Sequence, residues 1–462
     1  MRATAVMWFR RDLRLGDHPA LEAAARTGGV VPLFVVDPVL MGSSGAPRAA
    51  YLHDCLMALD EATGGHLVVR HGDPTEVVPA IAAEAGAADV YVTRDHGPYG
   101  RRRDAEVADR LRADGRRLRG IGSNHALEPG TVRKGDGDPY AVHTPFSKRW
   151  FAILADASYA VPGAATAPDG TCDGEPIEWV AMDGDGLADR PDPGCELPPA
   201  GEGAGRERWA EFRDEGVGGY ADRRDDPAGD ATSHLSPHLK WGAIHPRRLL
   251  HDLHDLHDLH DLHDRHAGNG IRCAGPRTFA SELAWRDFYA DVLFHRPRTA
   301  WSDLRDELSG MRLDTDAAAR DRFERWCAGR TGFPIVDAGM RQLLATGWMH
   351  NRVRMITASF LVKDLHLPWQ WGARHFLDHL VDGDLASNNH GWQWAAGTGT
   401  DAAPYFRVFN PTTQSERFDS DGAYARRWIA EYGTDAYPRE MVDHAAERRE
   451  ALARYEAATG RS

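Results

Sequence analysis

Three clusters in the second half of the chain combine chemically capable residue types with helical spacing. Glu282, Trp285 and Arg286 stand at i, i+3 and i+4, so a helix would bring a carboxylate, an indole and a guanidinium to one face. Asn351, Arg354 and Met355 repeat that spacing, while Arg352 is expected to point elsewhere. In DGDLASNNHGWQWA, Asp382, Gly383 and Asp384 precede the adjacent amides Asn388 and Asn389. Trp392 and Trp394 follow, two apart, which is about 200° of helical rotation, so one indole should enter the protein while the other faces a cleft. With Trp348, Trp369 and Trp371 nearby, residues 332–414 hold more polarity beside more indole than a plain helical core wants. Rings that need a partner for their N–H, next to charges that must be paired when buried, describe a cavity for a large, flat ligand with polar edges. A flavin has that shape.

Length and composition set the frame for these clusters. A chain of 462 residues holds two or three domains, and 42% hydrophobic with 27% charged residues is ordinary for a soluble protein. A formal net charge of -14 argues against nucleic acid when taken alone, but binding depends on where basic residues cluster. Five cysteines without a close pair indicate neither a disulfide framework nor a zinc site, which fits a reducing cytoplasm. Arg10 and Arg11 interrupt the first apolar segment, so no signal peptide or membrane span is expected.

The elements that must position the clusters are legible in order. Runs at 5–9, 30–36, 66–70, 89–93 and 116–121 read as buried strands, with helices at 19–26, 49–63, 74–85 and 101–113 between them. That alternation is a doubly wound parallel sheet, Rossmann-like but without G-x-G-x-x-G after its first strand. A Gly-, Pro- and Asp-rich connector follows, expected to be partly mobile, with a short helix around Phe146–Trp150. The remainder is helical. The expected division is 1–130 α/β, 131–207 connector and 208–462 all-α. Thr232 and Ser233 precede a helix start, where they serve either as caps or as part of an anion site. The triplet repeat HDLHDLHDLHDLHD at 251–264 invites a metal reading, but a period of three spirals around a 3.6-residue helix, which favours a solvated helix or loop.

The stretches TGWMHNRVRMITASFLVKD, DGDLASNNHGWQWA and GTDAAPYFRVFNP, with WFRRDLRLGDHPAL near the N-terminus, resemble the photolyase and cryptochrome family, and within it the class I cyclobutane pyrimidine dimer photolyases. The resemblance implies an antenna-chromophore domain followed by a helical FAD-binding domain that repairs dimers in DNA. Such a dimer has no good leaving group for acid, base or nucleophile, and no G-x-S-x-G, P-loop or H-E-x-x-H is present. One electron from light-excited reduced FAD splits it, so the protein binds, orients and insulates.

Residue by residue, the resemblance implies that Tyr220, Thr232, Ser233, His234, Leu235 and Ser236 cradle the flavin's pyrophosphate side. Phe279, Arg286, Trp348, Arg354, Asp382, Gly383 and Asp384 would complete the cofactor site, both carboxylates pairing with Arg354, and Asn388 would face flavin N5. Glu282, Asn351 and Met355 would line the dimer pocket, walled by Trp285 and Trp394. Arg224, Arg352, Arg407 and Gln414, with Glu282, would contact DNA, the dimer being flipped from the duplex. Trp392 and Trp369 match the first two members of an electron relay; Leu313 stands where the third tryptophan is expected, so the relay ends at Trp369 or diverts to Trp301 or Trp326. Arg48, Asp95 and Lys240, with Trp241, would hold the antenna, with 8-hydroxy-5-deazaflavin favoured over methenyltetrahydrofolate. No metal is implied, and a monomeric cytoplasmic enzyme is expected.

Three other readings compete. A cryptochrome-like light sensor would usually carry Asp or Cys in place of Asn388, and a (6-4) photolyase would usually carry histidines in place of Asn351 and Met355. A hydride-transferring flavoprotein needs a nicotinamide site, for which no motif is found. The plain reading of Glu282 with Arg286 is an ion pair over an aromatic core residue, and that of Arg48 with Asp95 a surface ion pair.

Overall fold

The computed structural model describes residues 3–157, 160–256, 274–308, 310–400 and 407–460. Strands β1 (Ala3–Phe9), β2 (Gly28–Val36), β3 (Val68–His71), β4 (Asp89–Arg94) and β5 (Arg117–Ser123) form a parallel sheet in the order β3-β2-β1-β4-β5. Alternation along β1 feeds two cores: Ala5, Met7 and Phe9 enter one, Val6 and Trp8 the other. Both faces are covered by α1 (Pro19–Ala25), α2 (Ala46–Ala62), α3 (Pro74–Glu84) and α4 (Pro98–Ala113). Helices α2 and α4 each begin three residues before the expected start, because Pro47 and Pro98 sit in the first turn, where a fixed φ and a missing N–H cost nothing. Strand order reverses between β1 and β4, so a crevice opens at their carboxyl ends.

The connector is more ordered than expected among its described residues. Val30 N donates to Glu178 O, Val180 N to Val30 O and Asp185 N to Val69 O, so this stretch lies along the sheet, and Glu196 N reaches Ala345 O in the helical half. Its helix α5 (His143–Asp156) is longer than expected, and it packs on α9 (Ala274–His295). Asp287 of α9 fixes it there, accepting at 2.8 Å from Trp150 Nε1 and at 2.9 Å from Leu127 N.

Between them in the chain lie α6 (Gly201–Glu211), α7 (Ser236–Trp241) and α8 (Pro246–Leu256). Helix α8 contains the start of the triplet repeat and buries Leu249, Leu250 and Leu253; the expectation for residues 257–264 lies outside the described residues. After α9 come α10 (Ala317–Cys327), α11 (Pro334–Thr346), α12 (Asn351–Ser359), α13 (Trp369–His379), α14 (Leu385–Ala396), α15 (Pro411–Phe418) and α16 (His444–Thr459). The helical half has two main cores, one around Trp326, Trp369 and Trp392, the other around Trp150, Trp209 and Phe288. Among the described residues no helix is long and apolar enough to cross a membrane.

Candidate active site

Helix α12 begins where His350 Nδ1 accepts from Arg352 N at 3.2 Å, which leaves Asn351 exposed at the first helical position. Arg354 reaches back to Met349 O at 2.7 Å and grips Asp382 with two hydrogen bonds of 2.8 and 3.2 Å. Asp382 is almost wholly buried, so this bidentate pair supplies the partner a buried carboxylate needs. Trp348 stands over Arg354 at 6.0 Å and touches His234 at 4.5 Å. The 232–236 turn is tied down by Arg208, which donates to Thr232 O at 3.2 Å and Ser233 O at 2.9 Å, and His234 takes φ +50° to turn the chain. Helix α7 is only six residues long, so loop groups rather than a helix dipole dominate here. Phe279 and Tyr220 meet edge to face at 5.7 Å and are largely buried in one core.

Asn388 uses both amide hydrogens inside the protein, donating to Ala373 O at 3.0 Å and to Asn389 Oδ1 at 2.8 Å. The carbonyl of Ala373 can only accept, so the orientation of the amide follows, and Asn388 offers a ligand its oxygen.

The sequence-based pairing of Asp384 with Arg354 is corrected by the fold. Asp384 caps α14, accepting from Ala386 N and Ser387 N, and its other oxygen meets Arg11 at 2.6 Å and Lys240 at 3.8 Å. The cap turns the carboxylate away from Asp382, toward the α/β half. Burial pushes the Asp384 carboxyl up, but Arg11, Lys240 and Arg286 outweigh it and hold its pKa far below the usual range. Lys240 moves the same way for the opposite reason: burial and the neighbouring Arg11 push its pKa well down.

These charges wall a cavity of about 440 Å³ between the two halves, at the carboxyl ends of β1 and β4, with Arg48, Asp95, Tyr99, Lys240, Trp241 and Asp384 in its lining. Arg48 and Asp95 therefore do not form the plain surface ion pair. Arg48 is buried and donates to Leu377 O and Ser43 O, while Asp95 meets Arg103 at 3.4 Å. Burial raises the Asp95 pKa, yet Arg10 and Arg103 bring it below its ordinary value.

Glu282 and Arg286 share a helix but not a partner. Glu282 pairs with Arg224, and Arg286 donates to Asn124 O at 2.8 Å and Leu239 O at 3.1 Å, tethering the end of β5 and α7. The plain Glu282–Arg286 ion pair is thus not the arrangement adopted. Burial raises the Glu282 pKa, an effect that Arg224 only partly offsets. Arg352, expected to point away from Met355, lies 3.8 Å from its sulfur because the two are i, i+3; it also meets Asp225 at 2.8 Å and covers Phe418 at 4.8 Å. Trp285 is half-buried and stacks on His143, a residue the sequence reading passed over because nothing local links α5 to α9. Arg407 is exposed and Gln414 is half-exposed on α15.

The opposed indoles of α14 divide as their spacing predicts. Trp392 is 2% exposed and packs on Phe376 at 5.0 Å and Trp326 at 6.0 Å, while Trp394 is half-buried and faces Phe409 at 6.4 Å. Gly372 makes room for Trp392, since a Cβ there would lie 2.1 Å from the indole. Trp369 has Trp301 nearly parallel to it at 6.5 Å, Trp326 adjoins Trp392 at 6.0 Å, and Leu313 is exposed.

An α/β half and a helical half joined by a charged cavity, with a cluster of indoles and ion pairs in the helices, are the architecture on which the comparisons with known proteins bear. The chain belongs to the DNA photolyase family: the family model for DNA photolyase matches residues 5–166, and that for the FAD binding domain of DNA photolyase matches 279–434. It is 40% identical to a deoxyribodipyrimidine photo-lyase of Streptomyces griseus, with 99% of each chain covered. It is 37% identical to the Escherichia coli protein of that name, with 98% of this chain and 99% of the relative covered. Among solved structures it is similar to a class III photolyase from Agrobacterium tumefaciens, at TM-score 0.85 and 34% identity over 100% of this chain and 98% of that one. A Synechocystis cryptochrome is similar at TM-score 0.81 and 26% identity, covering 97% and 98% of the two chains.

Proposed function

We propose that the protein is an enzyme that repairs cyclobutane pyrimidine dimers in DNA by light-driven electron transfer. The observation that carries this reading is full-length similarity to relatives named deoxyribodipyrimidine photo-lyase. Retention of Asn388, Asn351 and Met355 speaks against the cryptochrome and (6-4) alternatives.

The residues present fit FAD. When bound and reduced, FAD supplies the electron that light releases into the dimer. Asn388 Oδ1 is an acceptor for the N–H that a flavin carries at position 5 only when reduced. The Arg354 guanidinium would favour an anionic ring, and Asp382, held by Arg354, would be the acceptor for a flavin N–H. Glu282 binds the extruded bases at their polar edge, where burial raises its pKa against the opposing pull of Arg224. Trp285 and Trp394 stack with or wall the bases, a recognition that tolerates either pyrimidine. Arg352, Arg407 and Gln414 hold the strand, so affinity falls as salt rises. Arg224, paired with Glu282, is read as a further DNA contact.

The interface cavity is read as an antenna site for 8-hydroxy-5-deazaflavin, whose anionic phenolic edge suits Arg48 and Lys240. Support comes from Arg48, Asp95 and Lys240 lining one cavity. The enzyme is read as a cytoplasmic monomer acting on single- or double-stranded damaged DNA.

The test is anaerobic photoreduction of the purified protein, then illumination with dimer-containing oligothymidine. Recovery of thymine absorbance is expected; a flavin-loaded, reduced protein that gives none removes the repair reading.

A further inference from the structure

Trp285, the indole read above as a wall of the dimer pocket, does not stand alone. His143, the first residue of α5, lies flat against it, with ring centroids 3.7 Å apart and planes 5° from parallel. The imidazole is on the core side of the indole: it meets Phe288 edge to face at 5.7 Å, and Phe288 packs on Phe146 at 5.1 Å. Phe288 and Tyr289 approach Trp285 only at an angle, at 5.7 and 5.4 Å, so the parallel contact is the one that sets its plane. His143 is 6% exposed, and its Nε2 has no hydrogen-bond partner. Burial pushes its pKa down to about 4, so the ring is uncharged at neutral pH.

A buried imidazole with an idle nitrogen is not placed there for hydrogen bonding, and Val142, not His143, occupies the cap position of α5. What the ring supplies is a flat face. A half-buried indole without such a backing can tilt, and recognition geometry is lost with rotations of about 10–20°. Resting on the reading of Trp285 as a base-stacking wall, we propose that His143 is a positioning residue: it backs Trp285 and fixes the plane on which the extruded dimer stacks. The connector helix, which falls in the matched region 5–166 and not in the FAD binding region 279–434, thereby takes part in substrate recognition.

The test compares dissociation constants for dimer-containing and undamaged oligothymidine in flavin-loaded wild type, His143→Leu and His143→Phe. His143→Leu fills the space without a flat face and is expected to reduce the preference for damaged over undamaged DNA by roughly three- to tenfold, the range for aromatic pairs. Affinity for undamaged DNA should stay as it was, and His143→Phe should retain the preference. A merely structural role would lower the melting temperature without changing that ratio. An unchanged ratio in His143→Leu overturns the inference, as does an equal loss in His143→Phe. Should His143→Leu fail to hold flavin, His143→Gln, of similar size and without a ring, is read by the same ratio. Absence of any damage preference in wild type would instead sink the reading of the pocket.

Discussion

The two ligand-scale regions are built on opposite plans. The cavity between the halves is walled by charge drawn from both, with Arg11, Arg48 and Asp95 from the α/β side facing Lys240 and Asp384 from the helices. The substrate region is built within the helices and backed by the connector, and its charges are already paired: Arg354 with Asp382, Arg352 with Asp225, Arg224 with Glu282. Around the cavity the ion pairs of Arg11 and Lys240 with Asp384 bridge the two halves, whereas in the substrate region the ion pairs lie within the helices and frame an aromatic surface whose ligand binds by stacking. Variants should therefore separate the two regions cleanly.

The largest effect is expected where a pair is broken. Arg354→Ala leaves Asp382 buried and alone, which costs about 3 kcal/mol and should release FAD, as followed by absorption and thermal melting. If flavin stays bound with unchanged stability, the pair is not part of the cofactor site. Next in size is the pH dependence set by the connector anchor. Burial raises the Asp287 pKa to about 6, partly opposed by Arg286, so the folded state holds a proton the unfolded chain has released. That stability is full below the ordinary carboxylate value and is lost as pH rises through about 6, by roughly 2–3 kcal/mol. Asp287→Asn keeps an acceptor for Leu127 and Trp150, and should flatten the decline in melts from pH 4 to 7; a parallel decline would assign it to other groups.

Trp285→Ala should weaken dimer binding by roughly 2 kcal/mol, within the usual range for a base stacked on an aromatic ring, while FAD remains bound. Loss of FAD together with the dimer would merge what the comparison keeps apart. On the other side of the molecule, Lys240→Ala is expected to weaken antenna binding by about 1.5 kcal/mol and leave repair under direct flavin excitation intact. Reconstitution with deazaflavin reads the first, action spectra the second. The smallest effect concerns the relay: Trp301→Phe should slow photoreduction of oxidised protein, while Leu313→Trp, on an exposed segment, should not speed it. The opposite ranking would place the relay's exit at position 313.

Much of this was legible because the signals are local. Strand runs, Pro47 and Pro98 at helix starts, and the opposed Trp392 and Trp394 follow from periodicity within one element. The errors arose where one residue had two local options. The family resemblance pairs Asp384 with Arg354, yet as the α14 cap it turns to Arg11, 373 residues away. Glu282 and Arg286 share a helix face, but each found a stronger partner on another element. Arg352 was misplaced although i, i+3 spacing put Met355 within reach.

The amino-acid order by itself determined the family, the parallel sheet and the helical site clusters, because hydrophobic period and long motifs are properties of contiguous chain. Only the tertiary structure decided which charges meet across the interface and that His143 lies under Trp285. Those contacts join residues far apart in the chain, and burial, which makes each pairing matter, exists only once the halves have packed.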